Sequence, residues 1–204
     1  MMTPVIGIDI GQKRDPTALA VVEGEYRPGP DPSLPRESHF LVRYLERLPL
    51  GTPYPEVARR LAGICRRVTQ LRHHRPQVFV DATGVGQPIV DLLRDSTHDA
   101  AHIWAVTFTH GDRRTIAPEA RKITLGKAHL VCRLQGLLEG QRLHLASTRE
   151  ARALVDELLH YEIRIDDNAR DRYGAFRVGA HDDLVTALGL AVQEDPPSGD
   201  RACP

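Results

Sequence analysis

A mixed five-stranded sheet flanked by helices, with an extra hairpin before the C-terminal helix, is the α/β fold that three observations predict. Short apolar runs of strand length alternate with segments of helical periodicity. Three of those runs come first, with no helix between them, so the sheet opens on three successive strands. A strand, a glycine-marked tight turn and a proline-opened helix then follow one another from Val78 to Pro88. The 204 residues are enough for one domain that buries roughly 70% of its unfolded surface.

Each element has its own local reason. Val5-Ile6-Gly7-Ile8-Asp9-Ile10 reads as a buried strand, Gly11 to Pro16 as a turn and Ala18 to Glu23 as its hairpin partner. Residues 24–37, with four prolines, read as a loop excursion. His39 to Leu45 fits a third strand with Phe40, Val42 and Tyr44 on one face and Leu41 and Leu45 on the other. Pro55 opens a helix whose Val57, Leu61, Ile64, Val68 and Leu71 form one apolar stripe, opposite Arg59, Arg60, Arg66, Arg67 and Arg72; Pro76 closes it. Val78 to Asp81 and Ile103 to Thr109 are strands four and five, the second running into a basic loop at Asp112-Arg113-Arg114. Residues 127–139 read as a helix striped by Leu130, Leu134 and Leu137, closed by Gly140, with a short strand at Arg142 to Leu145.

Ser147 and Glu150 make a capping box for a helix with Ala151, Leu154, Val155 and Leu158 inward. Ile163 to Ile165 and Tyr173 to Val178 form the extra hairpin around Asp166 to Asp171. The last helix runs from about Asp183 to Gln193 on a stripe of Leu184, Ala187, Leu188 and Ala191. Domain 1–195 is therefore followed by a frayed, disordered tail, 196–204.

Composition excludes several classes. Hydrophobic residues are 41% and charged residues 26% of the chain, a globular balance, and no apolar run approaches the ~18 residues of a bilayer span. The N-terminus has no basic, apolar and small-residue succession of a signal peptide, so a cytoplasmic location is expected. Cys65, Cys132 and Cys203 have no C-x-x-C spacing, which excludes a disulfide framework or zinc knuckle and leaves free thiols. Net charge is zero but uneven: residues 1–135 carry 19 Lys and Arg against 14 Asp and Glu, and residues 136–204 carry 8 against 13.

The chemistry is expected at three acidic positions. Asp9 lies inside the first strand between Ile8 and Ile10, where a carboxylate has no local backbone role and costs several kcal/mol unless compensated. Asp81 ends the fourth strand, where it also suits an Asx turn; Asp182 or Asp183 begins the last helix, where either suits an N-cap. If strands one and four are parallel neighbours, these acids converge at the carboxyl edge of the sheet, where open α/β folds bind ligands. Carboxylates held together repel, and paired divalent cations relieve that repulsion. An all-oxygen donor set favours magnesium or manganese over zinc.

The motifs Gly7-Ile8-Asp9-Ile10-Gly11 with Asp15-Pro16-Thr17-Ala18, then Val80-Asp81-Ala82-Thr83-Gly84-Val85-Gly86, then His181-Asp182-Asp183-Leu184-Val185-Thr186-Ala187-Leu188, resemble the nuclease domain of tailed-phage terminase large subunits. The resemblance spans about Pro4 to Gln193, including the helix Lys127 to Leu138. It implies a ribonuclease H-like fold, related to Holliday-junction resolvases, and two-metal endonuclease chemistry on DNA, as in the packaging nuclease. Carried over, Asp9 bridges two Mg2+ or Mn2+ ions, Asp81 holds one and Asp182 or Asp183 the other. Asp15 is either a further ligand, a nearby supporting group or simply a turn residue, and His181 orients a ligand or serves the helix start. The implied partners are DNA and, within a packaging complex, a separate ATPase, small subunit or portal. No G-x-x-x-x-G-K-[ST] occurs, so the chain is not expected to be a packaging motor by itself.

Such an enzyme needs a basic surface, and Arg113, Arg114, Arg121, Lys122 and Lys127 after the fifth strand are the candidates, without sequence specificity and with affinity that falls as salt rises. The arginine face of the first helix is either a second such surface or merely a solvated one. Two alternatives stand beside this reading: a catalytically inert domain that binds DNA or a partner, and an ATP-binding domain like those of actin-like ATPases and sugar kinases, whose phosphate loops Gly7 to Gly11 and Asp81 to Gly86 also resemble.

Overall fold

The computed structural model describes residues 4–11, 15–29, 31, 33–165, 171–174 and 181–194. In chain order the elements are β1 (Pro4–Asp9), β2 (Ala18–Arg27), β3 (Glu37–Arg47), α1 (Tyr54–Arg72), β4 (Gln77–Asp81), α2 (Gln87–Thr97), β5 (His102–Thr109), β6 (Arg114–Ala117), β7 (Lys122–Gly126), α3 (Lys127–Glu139), β8 (Leu143–Leu145), α4 (Arg149–His160), β9 (Glu162–Ile165), β10 (Asp171–Gly174) and α5 (Asp183–Ala191). The mixed sheet flanked by helices is present, with eight strands in the order β6-β7-β5-β4-β1-β2-β3-β8. β1, β2 and β3 form the antiparallel meander, and β1 lies parallel to β4, which is parallel to β5. The expected hairpin before the last helix is the separate pair β9–β10; the tail from Pro196 falls outside the described residues, as does the turn 166–170.

Alternation along the strands sorts the core into two layers. Ile6, Ile8, Leu19, Val21, Val78 and Val80 face α1 and α2. Ala18, Ala20, Val22, Phe40, Val42 and Phe79 face α3, α4 and α5 on the other side. Every residue of α5 is buried, so this helix lies in the interior rather than on the surface. Room for it is made by small residues. A Cβ on Gly7 would stand 1.9 Å from the Ala187 carbonyl oxygen, so the α5 backbone rests directly on β1. Ala18 and Ala20, fully buried in β2, widen the same trough.

Several local expectations are revised. A β-bulge between Val21 and Val22 leaves Arg43 without an opposite residue, so Val22 pairs with Val42 and Ala20 with Leu45. The alternation therefore slips by one, placing Leu45 in the core with Phe40 and Val42 and turning Tyr44 outward. The excursion expected at 24–37 is shorter, because β2 continues through Gly24 to Arg27 and β3 starts at Glu37. The basic loop after β5 is instead a hairpin, β6 and β7, that extends the sheet; its exposed Thr115 and Thr124 and buried Ile123 and Leu125 carry the alternation that its length concealed.

Thr148, one residue after Ser147, caps α4 by accepting the Ala151 N–H at 3.1 Å. Along α4, Val155 is turned outward and Glu157 lies among the buried residues with Ala151 and Leu154. Leu71, expected on the apolar stripe, is also exposed, in the last turn of α1 before Arg72. α5 stops at Ala191, short of Gln193. Cys65 is buried and Cys132 exposed, both free thiols; Cys203 lies outside the described residues. No helix among the described residues is long and apolar enough to cross a membrane.

Because a methyl at Gly7 has only backbone to displace, Gly7→Ala is expected to destabilise the protein by about 3 kcal/mol or more, measured by urea unfolding. Thr148→Ala, which removes one capping bond, is expected to cost only about 1 kcal/mol in the same assay.

Candidate active site

Register alone brings the first two acids together. Ile8 pairs with Val80 across the parallel β1–β4 ladder, so Asp9 and Asp81 occupy the next level of adjacent strands, ~4.8 Å apart, on the face opposite Ile8 and Val80. That is the face on which α5 lies. From the Gly7–Ala187 contact, two strand residues (~6.6 Å) lead to Asp9, and one helical turn back (~6 Å) leads to Asp183. Matching rises deliver the start of α5 above Asp9.

The electrostatics agree with the geometry. Asp9 has its carboxyl pushed well above the usual carboxylate range, first by burial and then by the charges of Asp81, Asp182 and Asp183, with Lys127 opposing. Asp81 is also raised, chiefly by burial, with hydrogen bonds from Thr83 and the Lys127 charge holding it down and Asp182 pushing it up. The Thr83 N–H donates to Asp81 Oδ1 at 2.8 Å, so Asp81 does form the Asx turn, and it does so within the acidic group. Thr83 is held in turn: its Oγ1 accepts the Phe108 N–H at 2.8 Å.

Capping does not account for the third motif. Asp182 occupies the N-cap position of α5, yet its side chain makes no capping bond. The Val185 N–H of the first turn is taken by Glu157 Oε2 at 3.1 Å, a carboxylate from α4. Asp182 lies beside β10, where a Cβ on Gly174 would stand 2.8 Å from its Oδ2. Asp183 is 3% exposed; Arg47 Nε donates to its Oδ2 at 2.7 Å, and its buried Oδ1 has no hydrogen-bond partner among the described residues. His181 places Nδ1 3.9 Å from that Oδ1.

Asp15 is exposed in the β1–β2 connection, at the same end of the sheet as Asp9, and makes no hydrogen bond or ion pair among the described residues. Gly11 is required there, since a Cβ would stand 2.0 Å from the Asp15 carbonyl oxygen.

The five basic candidates have four separate placements. Lys127, at the start of α3, is the one whose charge acts on both Asp9 and Asp81; its Nζ lies 5.6 Å from the centre of the Phe108 ring. Arg113 is exposed at the same edge, where its carbonyl accepts the Gly126 N–H at 2.8 Å. Arg114 is committed elsewhere, to Glu194 and Gln193 beyond α5. Arg121 and Lys122 are exposed at the far end of β7, ~13 Å back along the strand from Gly126.

Sequence reasoning passed over Arg47 and Glu157. The available signal was the position of Glu157, three residues after Leu154 on the buried stripe of α4, where a charge demands a partner.

The donor set of Asp9, Asp81 and Asp183 is all oxygen, and Asp183 Oδ1 is a buried acceptor with no hydrogen-bond partner among the described residues, so these residues fit a hard divalent ion by chemistry. No three His, Cys, Asp or Glu side chains among the described residues stand close enough together to form a complete cage for one.

Raised pKa values carry a definite sign. Folding binds protons at Asp9 and Asp81, so their ionisation favours the unfolded chain, and the contribution to stability falls as pH rises from the ordinary carboxylate range through the folded values. In EDTA, Asp9→Asn is therefore expected to raise the melting temperature at pH 7, with the gain shrinking as the pH is lowered toward 4.

No family model matches the sequence, and no curated protein matches it. Among solved structures, the large terminase nuclease domain of a Thermus phage superposes with a TM-score of 0.58 at 17% identity, over 93% of this chain and 78% of that one. The human cytomegalovirus terminase nuclease domain gives 0.57 at 15% identity, over 93% and 81%. The nuclease domain of the bacteriophage SPP1 large terminase, with bound Mn, gives 0.53 at 12% identity, over 93% and 84%. At these identities the likeness is one of architecture: the chain has the α/β fold of terminase nuclease domains.

Proposed function

We propose that this protein is a metal-dependent endodeoxyribonuclease that hydrolyses DNA phosphodiester bonds. The observation that carries the reading is the meeting of Asp9, Asp81, Asp182 and Asp183, from three separated segments, at the carboxyl edge of a sheet with the terminase-nuclease fold. Two Mg2+ or Mn2+ ions bound there would supply Lewis acidity and a deprotonated water, and the SPP1 nuclease domain of the same fold was solved with bound Mn.

Within that reading, Asp9 is the shared donor, because its charge is coupled to all three other aspartates. Asp81 and an acid of the His181-Asp182-Asp183 motif are the donors on either side. The Asx turn at Thr83 restricts the Asp81 carboxylate before any ion arrives. Mutual repulsion among the acids is the cost of keeping them assembled, and it is what gives the site its affinity for a doubly charged ion. Lys127 balances part of that charge and would meet a phosphate oxygen of the substrate. Arg113 would follow the DNA backbone along the same edge, and Arg121 and Lys122 a more distant stretch of it. The substrate is read as DNA without sequence specificity, in a packaging or related process that a separate ATPase, small subunit or portal would complete.

The deciding assay is cleavage of supercoiled plasmid with Mn2+, Mg2+ or EDTA, wild type beside Asp9→Asn and Asp81→Ala. Nicking and linearisation that require metal and fall by at least about 100-fold in both variants are expected; wild type inert with either metal would leave a binding module or a nucleotide-binding domain, and ATP binding would then tell these apart. Millimolar Mn2+ is expected to raise the wild-type melting temperature through preferential binding to the native state, and to raise that of Asp9→Asn much less. Replacing Arg113 by Ala is expected to weaken DNA binding and lower its salt dependence by about one counterion in fluorescence-anisotropy titrations, whereas Arg114→Ala, which removes a side chain already paired with Glu194, is expected to change the salt dependence little.

A further inference from the structure

The two oxygens of Asp183 are in unequal positions. Oδ2 is engaged by Arg47 Nε at 2.7 Å, while Oδ1 is sealed from solvent without a hydrogen-bond donor among the described residues. The same guanidinium pairs through Nη2 with Glu157 Oε1, and the other Glu157 oxygen accepts the Val185 N–H at 3.1 Å. A closed circuit results, running from β3 through α4 to the first turn of α5 and back along two residues of backbone to Asp183. Because the guanidinium fork is planar and rigid, seating Nη2 on Glu157 also sets the direction in which Nε points.

We infer that Arg47, braced by Glu157, is a positioning residue that occupies Asp183 Oδ2 and thereby reserves Oδ1 as a single donor for a divalent cation. The inference rests on the metal-dependent reading above and deepens it by choosing Asp183 over its neighbour Asp182, which is only partly buried. An unmade hydrogen bond at a buried carboxylate oxygen is costly, and the one facing group among the described residues, His181 Nδ1, stands 3.9 Å away, beyond hydrogen-bond reach. The charges point the same way. Arg47, Glu157 and Asp183 sum to one negative charge, so the unit avoids an unscreened pair of buried anions while still attracting a cation. Glu157 in addition does the capping that the Asp182 side chain leaves undone, so neither aspartate is diverted to the helix end.

Two variants test this without stripping the buried charges bare. Arg47→Lys keeps the charge and loses the fork; Glu157→Gln keeps the shape but offers one acceptor to two donors. Each is read in the full chain by calorimetric titration with Mn2+, by melting in EDTA, and by the Mn2+ dependence of plasmid cleavage. Expected is a loss of Mn2+ affinity of about tenfold or more, with cleavage recovering toward the wild-type rate at raised Mn2+. A variant that melts lower in EDTA yet binds Mn2+ as wild type does would show the circuit to be structural only and overturn the inference, leaving the nuclease reading intact. Wild type that takes up no Mn2+ would overturn both together.

Discussion

The molecule depends on how closely α5 can approach β1. Without a side chain at Gly7, the helix backbone rests on the strand, and with alanines flanking it in β2 an entirely buried helix fits where an ordinary surface helix would not. Other features are set by that approach. Once the two elements touch at Gly7 and Ala187, strand and helix rises fix which residues meet at their ends, and those residues are acids. The sheet order adds Asp81 at the same level through the parallel β1–β4 ladder. The placement of the site is thus a matter of backbone geometry first and of side-chain chemistry second.

A folded chain that gathers carboxylates in this way must hold them against their repulsion. Three devices act together to do so, namely the Asx turn on Asp81, the Lys127 charge facing Asp9 and Asp81, and the Arg47 guanidinium set between Asp183 and Glu157. None neutralises the group completely. Burial leaves Asp9 and Asp81 with a higher proton affinity than exposed carboxylates have, so in the absence of metal a proton is the ion that relieves the strain. On the metal-dependent reading proposed above, protons and divalent cations would compete for these carboxylates.

Much of this was legible in the sequence because the strongest signals were local. An aspartate between two isoleucines in a strand has no bland explanation, and the glycines after Asp81 announce the turn that ends β4. Helix starts at Lys127 and Asp183 could be anticipated in the same way, whereas the parallel pairing of β1 and β4 entered only as a condition. What escaped depends on pairing across distance. The bulge at Arg43 is invisible until β3 lies against β2, and it alone decides whether Tyr44 or Leu45 enters the core. The hairpin β6–β7 is too short and too polar for periodicity to detect, and its strands are set by pairing with β5. Arg47 and Glu157 are separated by 110 positions and acquire meaning only when α4 crosses behind β3.

The outer margins of the sheet have a consequence for self-association. One margin is the four-residue β6; at the other, the three-residue β8 covers only Phe40 to Val42 of the eleven-residue β3. Beyond Val42, Arg43 to Arg47 run past the end of β8 along a cleft lined also by Leu145, Ala146 and Thr148. There the bulge at Arg43 and the ion-paired Glu46 and Arg47, rather than a covering strand, oppose edge-to-edge pairing with a second copy.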